Sequence, residues 1–187
     1  MGRTVPGRLR QRRLRPWRQD YLHYRYLWAD IERSVAAVRS EVAARPLVLD
    51  LGCGNRPYRD LFDGCRYVGV DRTAGDPHPD AIMDASRLAL AGERFDIVFC
   101  TQVIEHVPDP AALVAETFRV LKPCGWLVLT GPFWWPLHEE PHDFHRFTRH
   151  AFAHLLRAAG YAQFEITPEG GDWAQAFLAL SLRLTLG

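Results

Sequence analysis

The run Leu47-Val48-Leu49-Asp50-Leu51-Gly52-Cys53-Gly54 constrains this chain more than any other stretch of it. Its first five residues, aliphatic but for Asp50, read as a buried strand, and the glycines beyond them read as a sharp turn. A strand that opens into such a turn belongs to α/β folds in which a ligand comes close to the backbone. Where that ligand carries a pyrophosphate, a third glycine follows and the phosphates sit on the next helix N-terminus. Here Asn55, Arg56 and Pro57 follow instead. The turn asks for a ligand that wants an acid and two glycines but no phosphate cradle.

The rest of the chain alternates strand and helix. Helical spacing runs from Asp20 to about Ala44, with Leu27, Ile31, Val35 and Val38 on one face. After the Leu47–Leu51 strand come a short helix over Pro57–Phe62 and strands at Tyr67–Asp71, Ala81–Met83 and Phe95–Thr101. A helix over Pro110–Leu121 follows, N-capped by Asp109, with Val114, Phe118 and Leu121 expected inward. Trp126–Thr130 is a strand, Arg149–Ala159 a helix closed by Gly160, and Ala162–Ile166 a last strand. The pattern predicts an α/β, Rossmann-like, mostly parallel sheet of six or seven strands flanked by helices. The tail over 174–186 reads as helix, which leaves the seventh strand open. A length of 187 residues suits one domain. We assign it to residues 20–187, behind a basic arm over 1–19.

In such sheets ligands bind beyond the carboxyl ends of the strands. Asp71 ends the second strand, where a carboxylate can accept both hydroxyls of a ribose. Asp84, with Ala85 beside it, ends the third, where an acid and a backbone amide can read adenine. Asp50 adds negative charge near the turn. An adenosine joined to a cationic amino acid satisfies these groups and needs no third glycine. That ligand is S-adenosylmethionine.

The segments VLDLGCGNRPYRDLF, YVGVD, DIVFCTQVIEHVPDP, RVLKPCGWLVLT and PFWWPLHEEPHDFHRFT, in this order, resemble a class I S-adenosylmethionine-dependent methyltransferase of the type 11 group from about residue 46 to 160. The resemblance implies that Gly52, Cys53 and Gly54 line the methionine part, Asp71 the ribose, and Asp84 and Ala85 the adenine. It gives Thr101 and Gln102 the amino-acid end. Cys124-Gly125 departs from the Gly-Gly common in the group, and only the first strand of its closing hairpin is clear.

Methyl transfer to a hydroxyl or a protonated amine also needs a base. His106, after the fourth strand, is one candidate. The segment 131–147, GPFWWPLHEEPHDFHRF, is long for a loop and reads as a lid. Phe133, Trp134 and Trp135 supply an apolar wall, and Tyr24 and Trp28 of the first helix form an aromatic stripe that either packs on the core or covers the acceptor. Three readings of the loop's polar groups stand open. His142 or His138 is a base paired with Asp143 or Glu139; the groups form a structural clasp with Arg146; or they bind a metal, against which Pro141 interrupts the regular helix such spacing needs. Our expectation for the site is no metal.

Net charge is +1, yet the first eighteen residues hold seven arginines and no acid. That arm is expected to be solvated. Nucleic acid is disfavoured as acceptor, because the fourth strand ends Thr-Gln-Val-Ile rather than in an Asn-Pro-Pro-Tyr-like run. The expected acceptor is a small molecule with a ring or lipid portion, such as a natural-product, saccharide or glycolipid intermediate, methylated at oxygen first and nitrogen next. The alternatives are a nucleic-acid methyltransferase and a non-catalytic S-adenosylmethionine-binding protein. No apolar run of membrane-spanning or signal-peptide type occurs, so the expected location is cytoplasmic. The cysteines fall singly and are expected reduced. A homodimer is compatible with the sequence.

Overall fold

The computed structural model describes residues 21–168; the arm over 1–19 and the tail over 174–186 lie outside the described residues. Helix α1 (Tyr21–Ser40) leads into β1 (Leu47–Leu51), β2 (Arg66–Asp71), β3 (Ala81–Ile82), β4 (Phe95–Thr101), α2 (Pro110–Val120), β5 (Leu121–Thr130) and α3 (Arg149–Ala159). All pairings between these strands are parallel, in the order β3-β2-β1-β4-β5. Strand order reverses between β1 and β4, so the ligand crevice lies beyond their carboxyl ends.

Side chains alternate across a strand, and the sheet divides its core accordingly. Val48, Ile97, Phe99 and Val128 face α1, whose Leu27, Ile31, Val35 and Val38 are all buried against them. Each such burial is worth about 1.5–3 kcal/mol, enough to hold a helix whose other face is solvated. Leu49, Leu51, Val98 and Cys100 face the opposite way, against Leu113, Val114 and Val120 of α2 and Leu156 of α3. Asp109 caps α2 by accepting the Ala112 amide at 3.0 Å, and Thr148 caps α3 through Ala151 at 3.1 Å. Gly160, at φ 108°, ends α3 in the left-handed conformation.

Four expectations need correction. Phe118 is 44% exposed, because Leu113, Val114, Thr117 and Val120 form the inward stripe of α2; its ring packs edge-on to Tyr161 instead. Leu121 starts β5 rather than ending the helix, and Cys124, at φ 63°, carries an irregularity early in that strand. Pro57–Phe62 is a single 3-10 turn over Arg59–Phe62. Ala162–Ile166 is not a strand: Phe164 and Ile166 pack on the core without backbone pairing.

Among the described residues β5 therefore has no neighbour on its outer edge. A cavity of about 1770 Å³ follows that edge, between α1 and the chain beyond α3. It is a groove beside the sheet that touches the crevice end at Gln102 and Thr130. Among the described residues no helix is long and apolar enough to cross a membrane.

Candidate active site

The turn after β1 is held from below: the amides of Gly52 and Cys53 both donate to the Val70 carbonyl, at 2.8 and 3.0 Å. Gly52 has φ 74°, and a Cβ there would lie 2.3 Å from Val103 Cγ2, so only glycine fits. At Gly54, φ 49°, a Cβ would meet nothing within 4 Å, so this backbone stands open to a ligand. Asp50 is 3% exposed and accepts the Tyr67 hydroxyl, on the α1 side of the sheet. Burial pushes the Cys53 thiol up to about 12, with Asp50 and Asp71 adding to the shift; it is an inert, neutral thiol. None of the cysteines among the described residues is bridged.

Of the acids at the next strand ends, Asp71 organises the same turn and Asp84 the chain after β3. Asp71 accepts the Gly54 amide at 2.9 Å through one oxygen and the Thr73 amide at 3.1 Å through the other. Asp84 accepts the Ser86 hydroxyl at 2.6 Å and its amide at 2.8 Å, which hold its carboxyl below the ordinary value. Ala85 beside it is buried. Thr101 is buried at the end of β4, and Gln102, at φ 52°, donates its side-chain amide to Thr130 Oγ1 at 3.1 Å.

Sequence reasoning missed Arg56. It takes the left-handed conformation, φ 57°, pairs with Asp80 at 3.0 Å and donates to the His78 carbonyl at 2.7 Å. It thus closes the chain after β2 against the turn. The one signal in the sequence was a basic residue where a glycine might have stood. The open backbone at Gly54, with Asp71 and Asp84 at successive strand ends, fits an adenosine-containing ligand with an amino-acid end.

The other half of the crevice is built differently. A 3-10 turn, Ile104–His106, follows β4 and places a fully buried Glu105 beside His106, whose side chain is 12% exposed. His106 Nδ1 lies 2.7 Å from the His142 carbonyl. A carbonyl only accepts, so Nδ1 carries the proton and Nε2 keeps a free electron pair. Burial lowers the pKa of this imidazole, against the opposing pull of the His142 carbonyl and Glu139, and so favours the neutral ring. Nε2 lies 3.9 Å from Glu105 and 3.7 Å from Glu139.

The segment 131–147 is fastened onto this turn. The amides of Phe144 and His145 donate to the Glu105 carbonyl at 2.9 and 3.2 Å. Arg146 is the hub: it forks onto Asp143 at 2.7 and 2.8 Å and also donates to the carbonyls of Trp135, Pro136 and His145. Every N–H of its guanidinium has an acceptor. That guanidinium holds the Asp143 carboxyl well below the usual range, against the effect of burial. The same carboxylate accepts the His138 amide at 2.9 Å and stands 3.2 Å from His138 Nδ1.

The clasp is therefore present, and so is the His138–Asp143 pair. The His142 side chain is exposed; its carbonyl is what reaches His106. Trp135 packs on the His23 ring of α1 at 4.4 Å between centroids. Phe133 and Trp134 are exposed and line the groove beside β5. Tyr24 and Trp28 pack on the α1-side core, Trp28 stacking on Tyr58 at 4.9 Å. His23, absent from the sequence-based site, is the α1 ring that meets the loop.

Comparison with known proteins bears on the fold and the family. The family described as "methyltransferase domain" matches residues 21–165. The ubiquinone biosynthesis O-methyltransferase of Ruegeria pomeroyi is 33% identical over 129 residues, covering 60% of this chain and 50% of that protein. An uncharacterized methyltransferase of Mycobacterium ulcerans is 31% identical over 159 residues, covering 78% of this chain and 61% of the other. The chain thus spans 50–61% of the length of these relatives. Among solved structures, a putative methyltransferase from Bacillus halodurans superposes with a TM-score of 0.58 at 22% identity, covering 68% of each chain. An S-adenosylmethionine-dependent methyltransferase from Mesorhizobium loti superposes with a TM-score of 0.57 at 18% identity, covering 89% of this chain and 93% of that one. These two likenesses establish the fold, and with the match over residues 21–165 the chain belongs to the methyltransferase-domain family, within the class I S-adenosylmethionine-dependent methyltransferases.

Proposed function

We propose that the protein transfers a methyl group from S-adenosylmethionine to a hydroxyl of a small molecule with a ring or lipid portion. One observation carries a proton-bearing acceptor, a hydroxyl first and an amine next: the His106 imidazole, held through Nδ1 with Nε2 turned to the crevice beyond the end of β4. The name of the Ruegeria relative, an O-methyltransferase of ubiquinone biosynthesis, supports the same acceptor chemistry.

When bound, S-adenosylmethionine supplies an electrophilic methyl carbon on a sulfonium leaving group. Gly52, Cys53 and Gly54 border its methionine part, Asp71 takes the ribose, Asp84 and Ala85 the adenine, and Thr101 and Gln102 the amino-acid end. This chain's remaining work is positioning and deprotonation. The acceptor oxygen has to lie in line with the methyl carbon, with its proton drawn off at the His106 face. The clasp of 131–147 keeps that face shaped and shields it from water. The test is transfer of labelled methyl from S-adenosylmethionine to a panel of phenols, sugars and amines. Label in phenolic or sugar ethers supports the reading; label confined to amines, or none with cofactor bound, sinks it.

A further inference from the structure

Glu105, His106 and His138 each offer one ligand atom, and these atoms all lie within 4.8 Å of one another. They come from two segments far apart in sequence, and the sequence alone pointed instead to histidines within the loop. The two imidazoles share a further property. His106 Nδ1 faces the His142 carbonyl at 2.7 Å, while His138 Nδ1 stands 3.2 Å from both the Asp143 carboxylate and the Pro136 carbonyl. All three partners are acceptors, so in each ring the nitrogen left to meet a metal ion is Nε2. A ring held through Nδ1–H by a carbonyl or carboxylate, with Nε2 free, is how a histidine is prepared to bind a metal ion. Glu105 has no solvent exposure, and an ionised carboxylate in such a place is costly unless positive charge stands near. Arg146 stands near enough for Glu105 to raise its pKa, behind the larger influence of Asp143.

We propose that Glu105, His106 and His138 form a binding site for a divalent transition-metal ion. Two imidazole nitrogens and one carboxylate oxygen suit Zn²⁺, Co²⁺, Mn²⁺ or Fe²⁺ and leave coordination positions open, whereas Mg²⁺ prefers an all-oxygen set. Metal–ligand bonds of about 2.0–2.2 Å require the three atoms to draw together from their present spacing. His138 belongs to the clasped loop and Glu105 and His106 to the turn after β4, so the ion pulls the loop onto that turn. The inference rests on the methyl-transfer reading for its purpose and changes the part of His106 in it. With Nε2 on the ion the imidazole no longer takes the proton, and an acceptor hydroxyl bound at an open position would become more acidic, lose its proton to water and keep the electron pair for the incoming methyl carbon.

The experiment is Co²⁺ titration of the full chain, followed by visible absorption and by thermal unfolding, in the parent, His106→Ala, His138→Ala and His150→Ala. His150 is exposed on α3, away from the cluster, and controls for the loss of a histidine. The expected result is one Co²⁺ per chain with d–d bands of mixed nitrogen and oxygen ligation. A raised unfolding temperature should accompany binding, in the parent and in His150→Ala. Affinity should fall at least about tenfold in each cluster variant. His138→Ala keeps the test readable should His106→Ala fail to fold, because His138 sits on the loop, partly exposed. Absence of Co²⁺ binding by the parent, or binding unchanged in both cluster variants, overturns the site. Methyl transfer that resists a strong chelator yet still needs His106 overturns the ion and leaves the methyltransferase reading standing. Ion binding without transfer to any hydroxyl has the opposite meaning.

Discussion

The two halves of the crevice contrast in how they are made. On the cofactor side the polar groups are fixed by neighbouring strand ends and the turns beside them. Ser86 satisfies Asp84, Asp71 is met by Thr73 and the turn amide of Gly54, and the glycines hang from the neighbouring strand. On the acceptor side the Asp143–Arg146 fork is local, but what fastens the loop and orients His106 is not. His106 is oriented by a carbonyl 36 residues on, and the Glu105 carbonyl holds the amides of Phe144 and His145. The half we assign to the cofactor is written into backbone and strand ends. The half we assign to the acceptor is assembled by a loop.

The contrast is sharpest at His106. His106→Ala should lower the transfer rate by about 10²–10⁴-fold, the usual worth of activating an acceptor proton, while S-adenosylhomocysteine affinity stays within a few-fold. Single-turnover kinetics beside calorimetry would measure both. Equal losses in the two would mean that the halves are not separable.

Asp143→Ala comes next. It strands the Arg146 guanidinium and frees the His138 amide, and breaking so buried a pair costs about 3–5 kcal/mol when neither partner reaches water. Arg146 is 25% exposed, so we expect about 2–3 kcal/mol from chemical denaturation after allowing for solvent screening. Cofactor affinity should change little, because Asp143 touches only the loop. An undiminished midpoint would show that the clasp does not hold the loop.

On the cofactor side, Asp71→Ala should weaken S-adenosylmethionine binding by about 2–3 kcal/mol, through lost charge-assisted hydrogen bonds and a loosened Gly54 turn. Any accompanying fall in the rate at saturating cofactor should be small, and calorimetry is the direct measurement. Unchanged affinity would remove Asp71 from the cofactor site.

The smallest effect is expected at His142→Ala. Its imidazole is exposed, and the group that serves the site is its carbonyl, which alanine retains. Rate and stability should both stay within a few-fold and about 0.5 kcal/mol of the parent. A large loss of rate would restore the imidazole to the role that the sequence pattern suggested for it.

The glycine turn, the acids at the ends of β2 and β3 and the inward stripe of α1 could all be read directly, since each depends on period or on residues a few positions apart. Apolar runs placed β1 and β4 to the residue, and Gly160 marked the end of α3. Where two periods competed, the reading slipped. Phe118 lies one step off the stripe that packing chose, and the alternating Ala162–Ile166 run found burial without a strand partner.

The acceptor side could be read only as an inventory. Histidines, acids and an arginine crowd 131–147, but a clasp, a base and an ion site need the same residue types. The sequence by itself determined the α/β order, the cofactor turn and the residue types of both halves, because propensity, periodicity and glycine conformations act over a few residues. Tertiary structure alone decided that the His142 carbonyl, and not its ring, meets His106. It also decided that Glu105 and His106 meet His138. Those pairings depend on how a long loop packs back on a distant turn, and no local energy term encodes that.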